Sequence, residues 1–251
     1  MMNCTEILMA KDKMEEECGV FGIYSKEVNE VAQITYYGLY ALQHRGQESA
    51  GISVSNFGEI VTYKGMGLTA DVFTPETLNN LVGNAAIGHV RYSTTGASKL
   101  ENAQPLESRY KLGQIAVAHN GNLTNAKIIR ELLEDAGSTF NTSIDSEVII
   151  KMIARKANGN VEDAIRSTVG AIKGAYALVI LAGNKLVGVR DPYGIRPLCL
   201  GINENGDYIL ASESCAIDAV GGTLIRDVLP GEMVIIDENG VKSVKYSENN
   251  K

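Results

Sequence analysis

A chain of 251 residues can bury a sizeable core, as one large domain or two small ones. With 45% hydrophobic and 21% charged residues it has the make-up of an ordinary soluble globular protein. A net charge of −7 without any offsetting Lys/Arg cluster argues against a nucleic-acid partner.

Residues 1–17 show little apolar periodicity and read as a leader outside the fold. No apolar run approaches the roughly 18 residues that cross a bilayer, and the basic-then-apolar pattern of a signal peptide is missing, so no membrane partner is expected. The cytoplasm is the expected location. Cys4, Cys18, Cys199 and Cys215 are too irregularly spaced for a disulfide framework or a zinc ligand set, so no metal site is expected.

After Cys18 comes a predicted strand, Gly19–Tyr24, then a helix over Val28–Leu42 with Val31, Ile34, Thr35, Gly38, Leu39 and Leu42 at helical spacing. Strands are predicted at Ala50–Ser55, Glu59–Lys64, Ala85–Val90 and Ile115–His119. A helix over Asn125–Ala136 carries Ile128, Ile129, Leu132 and Leu133 on one side and ends at Gly137, a natural position for a left-handed glycine. A second, Ser146–Ala157, buries Val148, Ile149, Met152 and Ile153. Asn160 caps a third, with Asp163 three residues on in the manner of a capping box.

The C-terminal part adds strands Ala175–Ala182, Lys185–Arg190, Leu198–Ile202, Tyr208–Ser212, Met233–Ile236 and Val241–Val244. Gly183-Asn184, Asn205-Gly206 and Asn239-Gly240 are tight-turn dipeptides, and tight turns join antiparallel neighbours. Antiparallel sheets with helices layered outside them make an α+β fold.

Five segments carry chemistry-bearing residues. The first is Cys18 itself, between Met14-Glu15-Glu16-Glu17 and Cys18-Gly19-Val20-Phe21-Gly22. A cut before Cys18 would leave a thiol and a free α-amine on one residue. Such an amine has a pKa of about 7.7–8.0, near the optimum for a general base. The others are His44-Arg45-Gly46-Gln47, Gly88-His89-Val90-Arg91-Tyr92-Ser93-Thr94, His119-Asn120-Gly121-Asn122 and Ser143-Ile144-Asp145-Ser146-Glu147. Singly, each has an ordinary explanation. Cys18 fits a small buried hydrophobe, the three histidines fit the core, Asn120-Gly121 fits a turn, and Asp145 or Ser146 fits a helix N-cap.

Taken together and in this order, the five segments resemble the class II glutamine amidotransferases, a branch of the N-terminal-nucleophile hydrolases. Within that class the motifs are most similar to the amidophosphoribosyltransferase family. Glucosamine-6-phosphate synthases typically have Tyr-Arg-Gly-Tyr in place of His44-Arg45-Gly46-Gln47 and a tryptophan in place of Tyr92, and this chain has no tryptophan. Asparagine synthetases share something like Arg190-Asp191-Pro192-Tyr193-Gly194 but usually carry Arg-Gly-Pro-Asp in the earlier cluster. That late segment, followed by Ser212-Glu213-Ser214-Cys215, is typical of the purine-synthesis family.

The resemblance implies a four-layer αββα sandwich of two mainly antiparallel sheets, with residues 1–17 a propeptide and 18–251 a glutaminase domain. It implies that Cys18 is the nucleophile, that Asn120 and the Gly121 backbone hold the oxyanion, and that Arg91 and Asp145 bind the carboxylate and amine of glutamine. Thr94 and Arg45 are implied to line the same pocket. The expected product is ammonia for making phosphoribosylamine from phosphoribosyl pyrophosphate. The partners implied are a phosphoribosyltransferase domain or subunit, missing after Lys251, and further copies in a homo-oligomer. Magnesium, and in some members a 4Fe-4S cluster, is expected only with that domain. Two other readings remain open: an N-terminal-nucleophile amidase for another amide, and a non-catalytic, unprocessed module that binds glutamine or a partner.

Overall fold

The computed structural model describes residues 18–92 and 98–247. Strand β1 (Gly19–Asn29) is buried along its first seven residues, so both of its faces need cover. The near-continuous apolar run after Cys18 suits that position better than an alternating one.

The cover comes from two sheets packed face to face. β1 pairs antiparallel with β4 (Gly83–Arg91) on one side and β10 (Tyr208–Ala211) on the other. β2 (Ser49–Asn56), β3 (Glu59–Met66), β9 (Cys199–Asn203) and β11 (Gly222–Asp227) complete seven strands in the order β11-β9-β10-β1-β4-β2-β3. The second sheet contains β5 (Leu106–Tyr110), β6 (Gly113–Leu123), β7 (Gly174–Ala182), β8 (Leu186–Arg190), β12 (Glu232–Asp237) and β13 (Gly240–Lys245), in the order β13-β12-β8-β7-β6-β5.

Helices close both outer faces, giving the predicted αββα layering. α1 (Val31–Ala41), α2 (Thr69–Val72), α3 (Pro75–Asn80) and α7 (Ser214–Ala219) pack on the first sheet around Phe21, Ile23 and Ile52. α4 (Ala126–Asp135), α5 (Ser146–Lys156) and α6 (Val161–Val169) pack on the second around Val117, Leu178 and Ile180. Between the sheets, Ala85, Ala116, Ala118 and Ala177 share a buried apolar layer with Ile87, Val179 and Leu181, small beside large. Among the described residues no helix is long and apolar enough to cross a membrane.

The structure corrects several local expectations. Val28 and Asn29 end β1, so the first helix starts at Val31. On α4, Ile128 and Leu132 are each 63% exposed, while Ile129 and Leu133 face the core. Two adjacent i,i+4 pairs lie about 100° apart on a helix, and the sheet covers one of them. Asn160 caps α6 through the Glu162 N–H at 2.9 Å, while its amide reaches the Asp163 carboxylate at 3.3 Å. This is not the reciprocal backbone pairing of a capping box. Gly137 does end α4 with φ +87°, in a Schellman arrangement of Gly137 N–H to Glu134 O and Ser138 N–H to Leu133 O, both 2.8 Å. Cys215 lies in α7.

Candidate active site

Cys18 immediately precedes β1, and the Gly19–Val90 register places it beside Arg91 at the end of β4. Its thiol donates to the Tyr92 carbonyl at 3.4 Å, and its own carbonyl accepts from Arg45 Nε at 3.1 Å. Arg45 arrives on the tight turn Gln43–Arg45 that follows α1. The next residue must be glycine, because a Cβ at Gly46 would lie 2.7 Å from the backbone of Val90 and Arg91. Burial pushes the Cys18 thiol above its ordinary pKa, and the Tyr92 contact and the positive charges of Arg91 and Arg45 offset only part of that.

Arg91 is 3% exposed, and its Nη1 donates to Glu48 Oε1 at 2.6 Å. The Glu48 N–H donates back to the Arg91 carbonyl at 3.0 Å. The predicted carboxylate-binding arginine is therefore held in place, with its charge balanced, by a residue from the preceding strand connection.

A hydrogen bond between the sheets joins this end to the second group of residues. His89 Nε2 donates to the His119 carbonyl at 3.0 Å. Gln104 grips the same peptide from both sides, accepting from His119 N at 2.8 Å and donating to His119 O at 3.3 Å. The residue so anchored immediately precedes Asn120, which is 1% exposed and whose Nδ2 is fully buried with no partner among the described residues. Gly121 follows at φ +138°, where a Cβ would lie 2.0 Å from the Ala175 carbonyl oxygen. Only glycine fits there.

Asp145 sits at the N-cap position of α5 but makes no capping bond. Its Oδ2 accepts from Leu123 N at 2.7 Å, and its Oδ1 lies 3.7 Å from His119 Nδ1, whose nearer partner is Ser146 Oγ at 3.0 Å. The carboxylate thus faces the end of β6 that carries Asn120 and Gly121. Burial drives His89 down to about 3, and it lowers His119 despite the opposing pull of Asp145. Both are core histidines, while the His44 side chain is 56% exposed and bonds Glu213.

Cys18, Arg45 and Arg91 therefore meet at one end of the first sheet. Asn120, Gly121 and Asp145 gather on the second, with the His89–His119 bond between the groups. Thr94 lies outside the described residues, as do residues 1–17. Reasoning from sequence missed Glu48, Gln104 and Glu213 as supports. Glu48 and Glu213 lie within or beside motifs already singled out, but nothing in the sequence marks Gln104. Among the described residues no three His, Cys, Asp or Glu side chains converge as a metal site would require.

Comparison with known proteins bears on the family and the fold. The glutamine amidotransferase domain family matches residues 89–219. Amidophosphoribosyltransferase of Bacillus subtilis (strain 168) is 46% identical over 237 residues, covering 94% of this chain and 49% of that protein. Its namesake from Synechocystis sp. is 49% identical over 243 residues, again covering 94% and 49%. The solved structure of glutamine phosphoribosylpyrophosphate amidotransferase from B. subtilis, complexed with ADP and GMP, superposes with a TM-score of 0.86 at 46% identity over 92% of this chain and 50% of that one. The chain spans about half the length of these relatives.

Proposed function

The chain belongs to the glutamine amidotransferase domain family, and from that premise we propose that it hydrolyses glutamine to glutamate and ammonia through a thioester on Cys18. The supporting observation is the buried Asn120 amide, a donor without a partner among the described residues, beside a backbone position that only glycine can occupy. A buried N–H left unpaired costs about 1–3 kcal/mol, and a site that keeps one has a use for it.

In the proposed reaction the leader is removed, so that the Cys18 nitrogen becomes an amine. That amine takes the thiol proton as Sγ attacks the side-chain carbonyl carbon of glutamine. Burial holds the thiol pKa high, so the thiol needs a base to be a nucleophile, and the freed amine supplies one. Asn120 Nδ2 and the Gly121 N–H receive the oxyanion. The tetrahedral intermediate collapses with release of ammonia, the nitrogen carrying the proton that the amine had accepted. Water then cleaves the thioester to glutamate and restores the thiol.

Arg91 and Asp145 hold the α-carboxylate and α-amine of the substrate, with Thr94 and Arg45 along the pocket. The fixed pair of opposite charges favours glutamine over amides that lack them. The ammonia serves phosphoribosylamine formation from phosphoribosyl pyrophosphate in a phosphoribosyltransferase domain or subunit, within a cytoplasmic homo-oligomer.

The test is glutamate release by protein whose intact mass begins at Cys18. Cys18→Ala is expected to abolish the activity with the fold retained. Full activity in that variant, or in chains that keep residues 1–17, would overturn the mechanism.

A further inference from the structure

Ser212-Glu213-Ser214-Cys215 has no part in the hydrolysis just described, yet it lies against the first residues of β1. The β1–β10 ladder ends at Phe21–Ala211. Ser212 extends it by one step, its N–H donating to the Val20 carbonyl and its Oγ accepting from the Val20 N–H, both at 3.0 Å. This clamp secures the chain two residues after Cys18.

Glu213 follows directly and precedes α7. Glutamate is a poor helix cap, and here its side chain makes no capping bond. Its carboxylate turns instead to the end of α1. Oε1 accepts from Arg45 Nη1, and Oε2 meets His44 Nε2 at 3.0 Å. The Arg45 side chain is only 11% exposed and spends its Nε on the Cys18 carbonyl at 3.1 Å. An unbroken chain of contacts thus runs from Glu213 through one guanidinium to the main chain of Cys18. Partial burial opposes ionisation of Glu213, but Arg45 and His44 outweigh it and hold the carboxyl below its ordinary pKa.

We propose that Glu213 is a positioning residue for the nucleophile, fixing the plane of the Arg45 guanidinium so that Nε holds the carbonyl of Cys18. The inference rests on the reading of Cys18 as nucleophile. Fixing a carbonyl fixes the backbone torsion of its own residue. In Cys18 that fixes where the nitrogen and the Cβ stand relative to β1, and it leaves the Cα–Cβ bond to place the sulfur. Attack geometry is sensitive at this scale, because misplacement of about 1 Å can cost a hundred-fold in rate. Arginine suits the task because one planar group bonds the carboxylate and the carbonyl at once.

The experiment measures glutamine hydrolysis by Glu213→Gln, Arg45→Met and the double variant, each as the full chain, with rates normalised to chains whose mass begins at Cys18. Glu213→Gln is expected to lower kcat about ten-fold or more, with KM within two-fold of the original and the melting midpoint little changed. Because Glu213 acts through Arg45, adding Glu213→Gln to Arg45→Met should cost no further activity. A rise in KM at unchanged kcat would overturn the proposal, since it would leave the pair with a binding role and no part in placing Cys18. So would a lower melting midpoint with normal kcat, which would make it a latch between α1 and α7. Should Glu213→Gln fail to fold, Arg45→Lys undergoes the same division of kcat from KM. Absence of hydrolysis in the unsubstituted protein would instead refute the proposed function itself.

Discussion

Asn120 keeps a buried side-chain N–H without a partner among the described residues, in a fold that pairs most of its polar groups. Removing that side chain deletes no hydrogen bond made by Nδ2. Loss of one oxyanion donor costs about a hundred- to a thousand-fold in turnover, roughly 2.7–4 kcal/mol of barrier. Asn120→Ala should therefore reduce kcat for glutamine by at least about a hundred-fold while the protein still unfolds in a single transition near the original midpoint. Steady-state kinetics and thermal melting on one preparation check both halves. A variant with turnover within three-fold of the original would remove Asn120 from the mechanism. The residue pair was legible in the sequence as His119-Asn120-Gly121-Asn122. What the sequence could not show is the Gln104 clamp on the His119 peptide, because a glutamine far along the chain with no motif around it leaves no local signal.

At the level of elements, α5 links stability to the site. One face buries Val148, Ile149, Met152 and Ile153 against the second sheet, while its first turn presents Asp145 and Ser146 to His119. Ile153 is fully buried and lies two turns from Asp145. Ile153→Ala should lower unfolding free energy by about 2–5 kcal/mol, the usual cost of a truncated core isoleucine. Its KM for glutamine, measured well below the melting midpoint, should stay within two-fold. Urea titration provides the first number, and a loss under about 1 kcal/mol would contradict the packing described.

α5 was readable from sequence because four apolar residues fall at helical spacing and all four face the core. α4 misled because Ile128 and Leu132 have the same spacing and face water, and a single sequence cannot say how wide a stripe the sheet will cover. Strands β5 and β11 were missed for a related reason. Leu106–Tyr110 and Gly222–Asp227 are edge or near-edge strands with much exposed surface, so they lack the apolar density of β1 or β7. The antiparallel sheets with helices outside them were readable because the central strands that build them are among the most apolar stretches in the chain. The resemblance to the amidotransferases supplied the arrangement of the layers.

Across the whole molecule the two sheets are tied by a buried polar contact as well as by the apolar layer, and that contact makes stability depend on pH. His89 is fully buried between them, donating to the His119 carbonyl, with Arg91 and Lys64 as positive neighbours and His119 beside it. Burial lowers its pKa from 6.5 to about 3, so the folded state holds the neutral ring. Above pH 6.5 both folded and unfolded chains carry it neutral and nothing is lost. As pH falls below 6.5 the unfolded chain takes up a proton that the folded one refuses, and stability declines until pH approaches 3. From pH 7.5 to 5 one such histidine removes about 2 kcal/mol, and His119, also lowered, acts in the same direction.

The carboxylates act in a lower window. For Glu213, Glu232 and Asp237 burial raises the pKa, but ionic and hydrogen-bond partners outweigh it. Their contribution is intact above their ordinary values and fades only as pH falls below them. Urea midpoints between pH 7.5 and 5 should therefore report mainly the histidines. His89→Gln, whose amide can still donate to the His119 carbonyl, should flatten that slope by about one histidine's share. An unchanged slope in His89→Gln would show that the acid sensitivity arises elsewhere than at the contact between the sheets.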